Sequence, residues 1–177
     1  PGKDVRGVGF KDGEVGIWYG PLSAGGPIGG ADAVLHPPLP TVSSNVNAYL
    51  GNSLACLGDA DGDGDEDLAV GSPEDTWSWE IYSGYYSKGI AWIVSGSLSG
   101  EVILDGADWP RIGCNQSAGC SYQMGAWLIG PGDLNGDGLG DLVAGTGDGP
   151  GDVMSHYSYS SDPGSTELLY IVNSPIT

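Results

Sequence analysis

Two acidic segments of identical spacing set the terms on which this chain can fold. Asp59-Ala60-Asp61-Gly62-Asp63-Gly64-Asp65-Glu66-Asp67-Leu68-Ala69-Val70-Gly71 recurs 74 residues later as Asp133-Leu134-Asn135-Gly136-Asp137-Gly138-Leu139-Gly140-Asp141-Leu142-Val143-Ala144-Gly145. The match runs upstream as well, with Gly51–Asp59 against Gly125–Asp133. Outside these blocks, Gly20-Pro21-Leu22-Ser23 corresponds to Gly96-Ser97-Leu98-Ser99, and Ala31-Asp32-Ala33 to Ala107-Asp108-Trp109, at an offset of 76. Offsets this close describe one repeat with small loop insertions, and such self-similarity marks an array of supersecondary units. The 177 residues hold one small repeat array, not two enzyme-sized domains.

Each unit reads as four short strands. The first lies near Ser53–Leu57 and Ala126–Ile129 and leads into the acidic loop. The second, Asp67–Gly71 and Asp141–Gly145, leaves it with apolar residues on both faces, as a fully buried strand has. The third is Ile90–Ser95, matched by Val15–Tyr19 and by Leu168–Val172. The fourth is weaker and is expected around Glu101–Leu104 and Ile28–Leu35. Long Ser/Tyr/Trp-rich connections, Pro73–Lys88 and Asp148–Ser165, separate second from third strands. The chain carries 33 glycines and 12 prolines. Glycine is costly inside helices and cheap in tight turns, so a helical bundle is excluded.

Four antiparallel strands per unit, repeated and joined by glycine turns, is the make-up of a β-propeller blade. The expected fold is all-β, with about two and a half antiparallel four-stranded propeller-type blades, open or completed by neighbouring chains. Residues 1–48 form a partial N-terminal blade of outer strands, 49–122 a full blade with its acidic loop, and 123–177 a second blade lacking its last strand. A closed propeller takes at least about four blades.

The acidic loops carry the chemistry. Asp59, Asp61, Asp63 and Asp67 offer side-chain oxygens at alternate positions of a tight turn, and Asp65 offers its backbone carbonyl. Asp133, Asn135, Asp137 and Asp141 repeat the scheme, with Leu139 giving the carbonyl. Oxygen-only donors, several of them carboxylates, on a flexible loop suit Ca²⁺, so two calcium sites are expected. Zn²⁺ and copper are disfavoured because no His or Cys lies among the donors. An EF-hand needs a Glu at loop position twelve and flanking helices. That position is Val70 in one loop and Ala144 in the other, both within strand-like runs. Crowded carboxylates repel without a cation, so the metal is expected to hold the turn between first and second strands.

These residues carry a resemblance. Gly-x-Ser-Leu-Ala-x-x-Gly-Asp, followed by Asp-x-Asp-x-Asp-Gly-x-x-Asp-Leu-x-Val-Gly-x-Pro, resembles the FG-GAP repeat of integrin α-subunit β-propellers and their bacterial relatives. Gly89-Ile90-Ala91-Trp92-Ile93-Val94-Ser95-Gly96 is similar to that family's Gly-x-Val-Tyr-Val-x-x-Gly strand. The likeness covers roughly Tyr49–Ala107 and Gln123–Thr177, with a partial unit at Val15–Leu35. It departs from the family at Leu50-Gly51 and Met124-Gly125, where a Phe-Gly start is usual, and at Gly145-Thr146-Gly147, where Pro is missing. The resemblance implies an extracellular, calcium-stabilised repeat used for adhesion or binding, and seldom catalysis.

Charge and the remaining motifs narrow the partners. Five Lys and Arg against 23 Asp and Glu give a net charge of −18. A chain this acidic is repelled by phosphate backbones and anionic lipid, so nucleic acid is not a partner. No apolar run approaches the roughly 20 residues that span a bilayer, so membrane insertion is not expected. The chain starts at Pro1 without Met or a signal pattern and is expected to be a processed product or an excised segment. Cys114 and Cys120 bracket a short loop and are expected to pair in a disulfide, as close cysteines do in secreted chains. Cys56 is expected to be a buried thiol within an apolar strand.

Trp77, Trp79, Tyr82, Tyr85 and Tyr86 crowd one connection. Exposed, they would stack on sugar rings or on a protein partner; the plainer reading, and the favoured one, has them covering a blade's flank. His36 and His156 fall in Pro- or Ser-rich loops, and no Gly-x-Ser-x-Gly elbow occurs, so an enzyme is not expected. Asn115-Gln116-Ser117 matches the N-glycosylation acceptor. The chain thus reads as an extracellular or cell-surface structural protein. It is expected to associate with copies of itself head to tail, one copy's N-terminal outer strands completing the next copy's final blade, into a filament or ring. The alternative is a piece of a larger adhesin propeller that binds protein or glycan.

Overall fold

The computed structural model describes residues 12–22, 27–38, 48–73, 89–105, 109–113, 123–145 and 170–172. Among these residues ten strands follow in chain order: β1 (Val15–Ile17), β2 (Ala33–His36), β3 (Leu54–Gly58), β4 (Asp67–Ser72), β5 (Ile90–Val94), β6 (Gly100–Ile103), β7 (Arg111–Gly113), β8 (Trp127–Gly132), β9 (Asp141–Gly145) and β10 (Tyr170–Val172). One 3₁₀ turn, Ile28–Gly30, is the only helical element among the described residues. The strands form three sheets, ordered β1-β2-β6, β3-β4-β5-β7 and β8-β9-β10. The fold is all-β, with antiparallel sheets of three and four strands, as partial propeller blades require. One pair, β2 with β6, is parallel.

The sequence repeat is a structural repeat. In the central sheet Val70 faces Trp92 and Ala69 faces Ile93. In the C-terminal sheet Ala144 faces Tyr170 and Val143 faces Ile171, the same pairing 74 residues on for the second strand and 78 for the third. Both first strands slip register where they enter the acidic loop, between Cys56 and Gly58 and between Ile129 and Gly132. The N-terminal sheet repeats the outer half of a blade: Gly16 faces Val34 as Trp92 faces Arg111.

That correspondence corrects the fourth strand. The blade's outer strand is Arg111–Gly113, antiparallel to β5, and its N-terminal equivalent begins at Ala33, after the Ile28–Gly30 turn. The apolar Glu101–Leu104 run does form a strand, but it leaves the central sheet and pairs with β2 in parallel, from Ala33 opposite Gly100 to His36 opposite Ile103. The central blade thereby clasps the N-terminal sheet. His36 is also not a loop residue. It ends β2, buried, with its Nε2 on the Glu101 carboxylate and its Nδ1 3.8 Å from Glu14.

Two apolar layers hold the three sheets together. Val15 and Leu35 of the N-terminal sheet pack with Leu50, Val70, Ile90, Trp92, Val94 and Leu104. On the other side Ala55, Leu57, Ala60, Ala69 and Ile93 pack with Met124, Leu142 and Ala144. Strands β4 and β5 are therefore buried on both faces, which explains their unbroken apolar runs. Strand β3 alternates instead: Ala55 and Leu57 point into the second layer while Leu54 and Cys56 are exposed. Cys56 is thus a free, exposed thiol, because a period of two places it opposite the buried Leu57. The second junction is backbone-tight. A Cβ on Gly130 would stand 1.8 Å from the Cys56 carbonyl oxygen, and one on Gly140 1.9 Å from that of Leu57. Only glycine allows sheets to meet this closely.

Candidate metal centre

Each acidic loop is wound by its own carboxylates. Asp59 Oδ1 accepts the Gly62 amide at 2.6 Å, and its Oδ2 accepts the Gly64 amide at 3.0 Å. Asp61 and Asp63 accept the amides two residues on, from Asp63 at 3.0 Å and Asp65 at 2.8 Å. These are Asx-type turns, in which a short acidic side chain stands in for backbone. Asp67, at the start of β4, closes the loop by accepting the Ala60 amide at 2.7 Å. Gly62 and Gly64 take φ of 87° and 93°, a region open to glycine at little cost. Those turns let Asp59 and Asp61 face one point with Asp67.

The second loop reproduces the pattern. Asp133 accepts the Gly136 amide at 2.6 Å and the Gly138 amide at 2.8 Å. Asn135 Oδ1 accepts the Asp137 amide, Asp137 accepts that of Leu139, and Asp141 accepts that of Leu134. Gly136 and Gly138 have φ of 83° and 91°. Here the Asn135 side-chain amide donates to Asp137 at 2.9 Å, so one carboxylate of the first loop is replaced by a neutral group.

In the first loop Asp59, Asp61 and Asp67 each bring a carboxylate oxygen within 4.8 Å of the others. Two unit charges about 4 Å apart repel by about 1 kcal/mol in water and about 4 kcal/mol near a protein surface. No Lys or Arg lies between residues 51 and 87 or after Arg111, so neither loop contains a basic residue. Burial raises the Asp67 carboxyl above its ordinary value. The amides of Ala60, Asp61 and Gly96 pull it back, and the Asp61 charge adds to the rise. A hard divalent cation fits this donor set: oxygen only, largely anionic, and convergent.

The remaining expected ligands are placed differently. Asp63 and Asp65 lie outside the convergent group. Asp63 Oδ2 accepts the Ser95 hydroxyl at 3.4 Å, and Asp65 Oδ2 accepts that of Ser97 at 3.3 Å. The Gly96 amide donates to Asp67 Oδ1 at 3.3 Å. The sequence reading overlooked this Ser95–Ser97 turn. Its signal was the strand register: Leu68 faces Val94, so the residues after Val94 must lie beside Asp67. Leu139 is half-buried, its side chain 3.6 Å from where a Gly62 Cβ would stand, which brings the two loops together. Cys114 and Cys120, the aromatic group Trp77, Trp79, Tyr82, Tyr85 and Tyr86, and the Asn115 acceptor lie outside the described residues. Strands flank both loops, which excludes an EF-hand.

Residues 51–94 match the family model of the FG-GAP repeat. The match holds β3, the first acidic loop, β4 and β5. No curated protein matches the chain significantly. FG-GAP repeats are structural and binding repeats, often bind calcium and are typical of extracellular or surface proteins. Among the described residues no helix is long and apolar enough to cross a membrane.

Proposed function

We propose, from the match of residues 51–94 to the FG-GAP repeat, that the chain is an extracellular or cell-surface structural protein. Calcium stiffens its blades, and copies of it associate head to tail. The observation that carries this reading is the convergence of Asp59, Asp61 and Asp67 inside the matched segment. Asp59, Asp61, Asp63 and Asp67, with the Asp65 carbonyl, would hold the first ion. Asp133, Asn135, Asp137 and Asp141, with the Leu139 carbonyl, would hold the second. The ion supplies positive charge where the sequence provides none, and its role is structural.

Unpartnered edges support self-association. Among the described residues, strands β1 and β10 each close a sheet with one edge free, and such edges invite pairing with another chain. Strand β2 has β1 on one side and β6 on the other, so the N-terminal sheet offers β1 to a neighbour, not β2. Calorimetry on chelator-treated protein tests the metal reading and should resolve two calcium sites. Absence of binding at millimolar calcium defeats it.

A further inference from the structure

The face of the C-terminal blade turned away from the other described sheets is apolar and, among the described residues, open. Trp127, Ile129 and Leu134 are 63, 59 and 54 % exposed. Counterparts of the last two, 74 residues earlier, are Ala55 and Ala60, which are buried in the second apolar layer. One place in the repeat is therefore covered in one blade and bare in the next. Its cover in the central blade is known: Leu128 packs on that layer and Gly130 presses on the Cys56–Leu57 backbone. Leu128 and Gly130 correspond in turn to Leu54 and Cys56. Those two are the outward residues of β3, Leu54 being 51 % exposed. A single molecule thus displays both halves of its own internal junction, each without a mate among the described residues.

The geometry points to a contact between two copies of this chain in which Leu54 and Cys56 of one seat on Ile129 and Leu134 of the other. It repeats between molecules the junction that Leu128 and Gly130 make with Ala55 and Ala60 within one. This inference rests on the self-association reading and gives it an address. The two patches differ, so the contact is heterologous and propagates as a filament or closes as a ring. Ile replaces Ala on one half and Cys replaces Gly on the other, so the copies stand further apart than β3 and β8. They meet through side chains, not backbone. Strand β1 holds a third-strand place ahead of the central blade, as β10 does in the C-terminal blade. Association therefore sets β1 of the incoming copy and β10 in competition for the outer edge of β9.

Two variants of the full chain test the contact in calcium by sedimentation. Wild-type mass should rise with concentration beyond that of a dimer. Ile129→Asp and Leu54→Asp should each lose association, since each spoils one half. Mixed in equal amounts they should form a dimer that grows no further, because only one good pair of halves remains. Leu54→Asp that associates like wild type would mean a symmetric contact or another surface, and overturns the proposal. So does a wild-type chain that stays monomeric at every concentration; calcium binding measured on that same monomer leaves the metal reading intact. Should a variant lose its calcium-dependent melting, and so its fold, the wild-type chain still decides. The rate at which a maleimide labels Cys56, followed by peptide mapping, should fall as concentration rises, and an unchanged rate overturns the contact.

Discussion

Asp67 is placed so that a single carboxylate would tie folding to a bound cation. It is 2 % exposed and holds three backbone amides, yet burial still lifts its proton affinity above the ordinary value of 3.8. A carboxyl with a raised folded pKa binds protons more tightly when folded, so without metal stability falls as pH rises from 3.8 through the folded value. A cation needs the ionised form, so its stabilisation grows over the same window. The calcium-induced rise in melting temperature should therefore be full at neutral pH and shrink as pH drops through that window; a shift independent of pH would exclude ionised Asp67 as a ligand. The convergent group also ranks substitutions. Asp59→Asn removes a charge from the group and weakens its hold on two amides, whereas Asp63→Asn touches neither. Calcium affinity should fall further for Asp59→Asn, and calorimetry showing the reverse would move the site toward Asp63. The alternating acids were legible in the sequence because one loop supplies them all. Ser95 and Ser97 were not, since only strand register brings them to the loop.

At the scale of elements, glycine decides how closely the blades meet. Gly130 and Gly140 lie where a Cβ would overlap the Cys56 and Leu57 carbonyl oxygens. Overpacking of this kind typically costs about 1–3 kcal/mol, and here the obstacle is backbone, which cannot rotate aside. Gly130→Ala or Gly140→Ala should lower stability by about that much in chemical denaturation. Ala at Gly136, which has no neighbour within 4 Å but a φ of 83°, should act through loop strain instead and also weaken calcium binding. Equal losses of calcium affinity for Gly136→Ala and Gly130→Ala would contradict this division. First, second and third strands were legible because apolar runs and the acidic loop bracket them. The fourth was misplaced because Val102-Ile103-Leu104 is more apolar than Arg111-Ile112-Gly113. Arg111 earns its place by lying 5.6 Å from the ring centroid of buried Trp92, a cation–π contact that hydropathy does not register. The alignment of Ala31-Asp32-Ala33 with Ala107-Asp108-Trp109 came within one residue of the true register, since strand pairing sets Val34 level with Arg111. Cys56 was misjudged for a related reason: five apolar-looking residues in β3 alternate faces, and only the neighbouring sheet shows which face is covered.

For the molecule as a whole, the first acidic loop sits at both junctions. Its Asp59 carbonyl accepts the Gly140 amide of the C-terminal blade at 2.8 Å. Its acids hold the Ser95–Ser97 turn, and the Leu98 amide just beyond donates to the Tyr19 hydroxyl of the N-terminal unit at 2.7 Å. Repeat arrays are stable as a sum of units and nearest-neighbour interfaces, so a ligand gripping a junction raises cooperativity as well as stability. An ion at a hundredfold excess over its Kd contributes about 2.7 kcal/mol by mass action if it binds only the folded form. Without it, the loop's uncompensated charge weakens both contacts at once. With calcium the chain should melt in one transition; in chelator the units should separate into at least two. Hydrogen exchange should then quicken at the Gly140 and Leu98 amides while Val70 and Trp92, at the centre of the four-stranded sheet, stay protected. Protection kept at Leu98 and Gly140 in chelator, with one transition throughout, would make calcium a local brace of its own turn and leave the junctions to apolar packing alone.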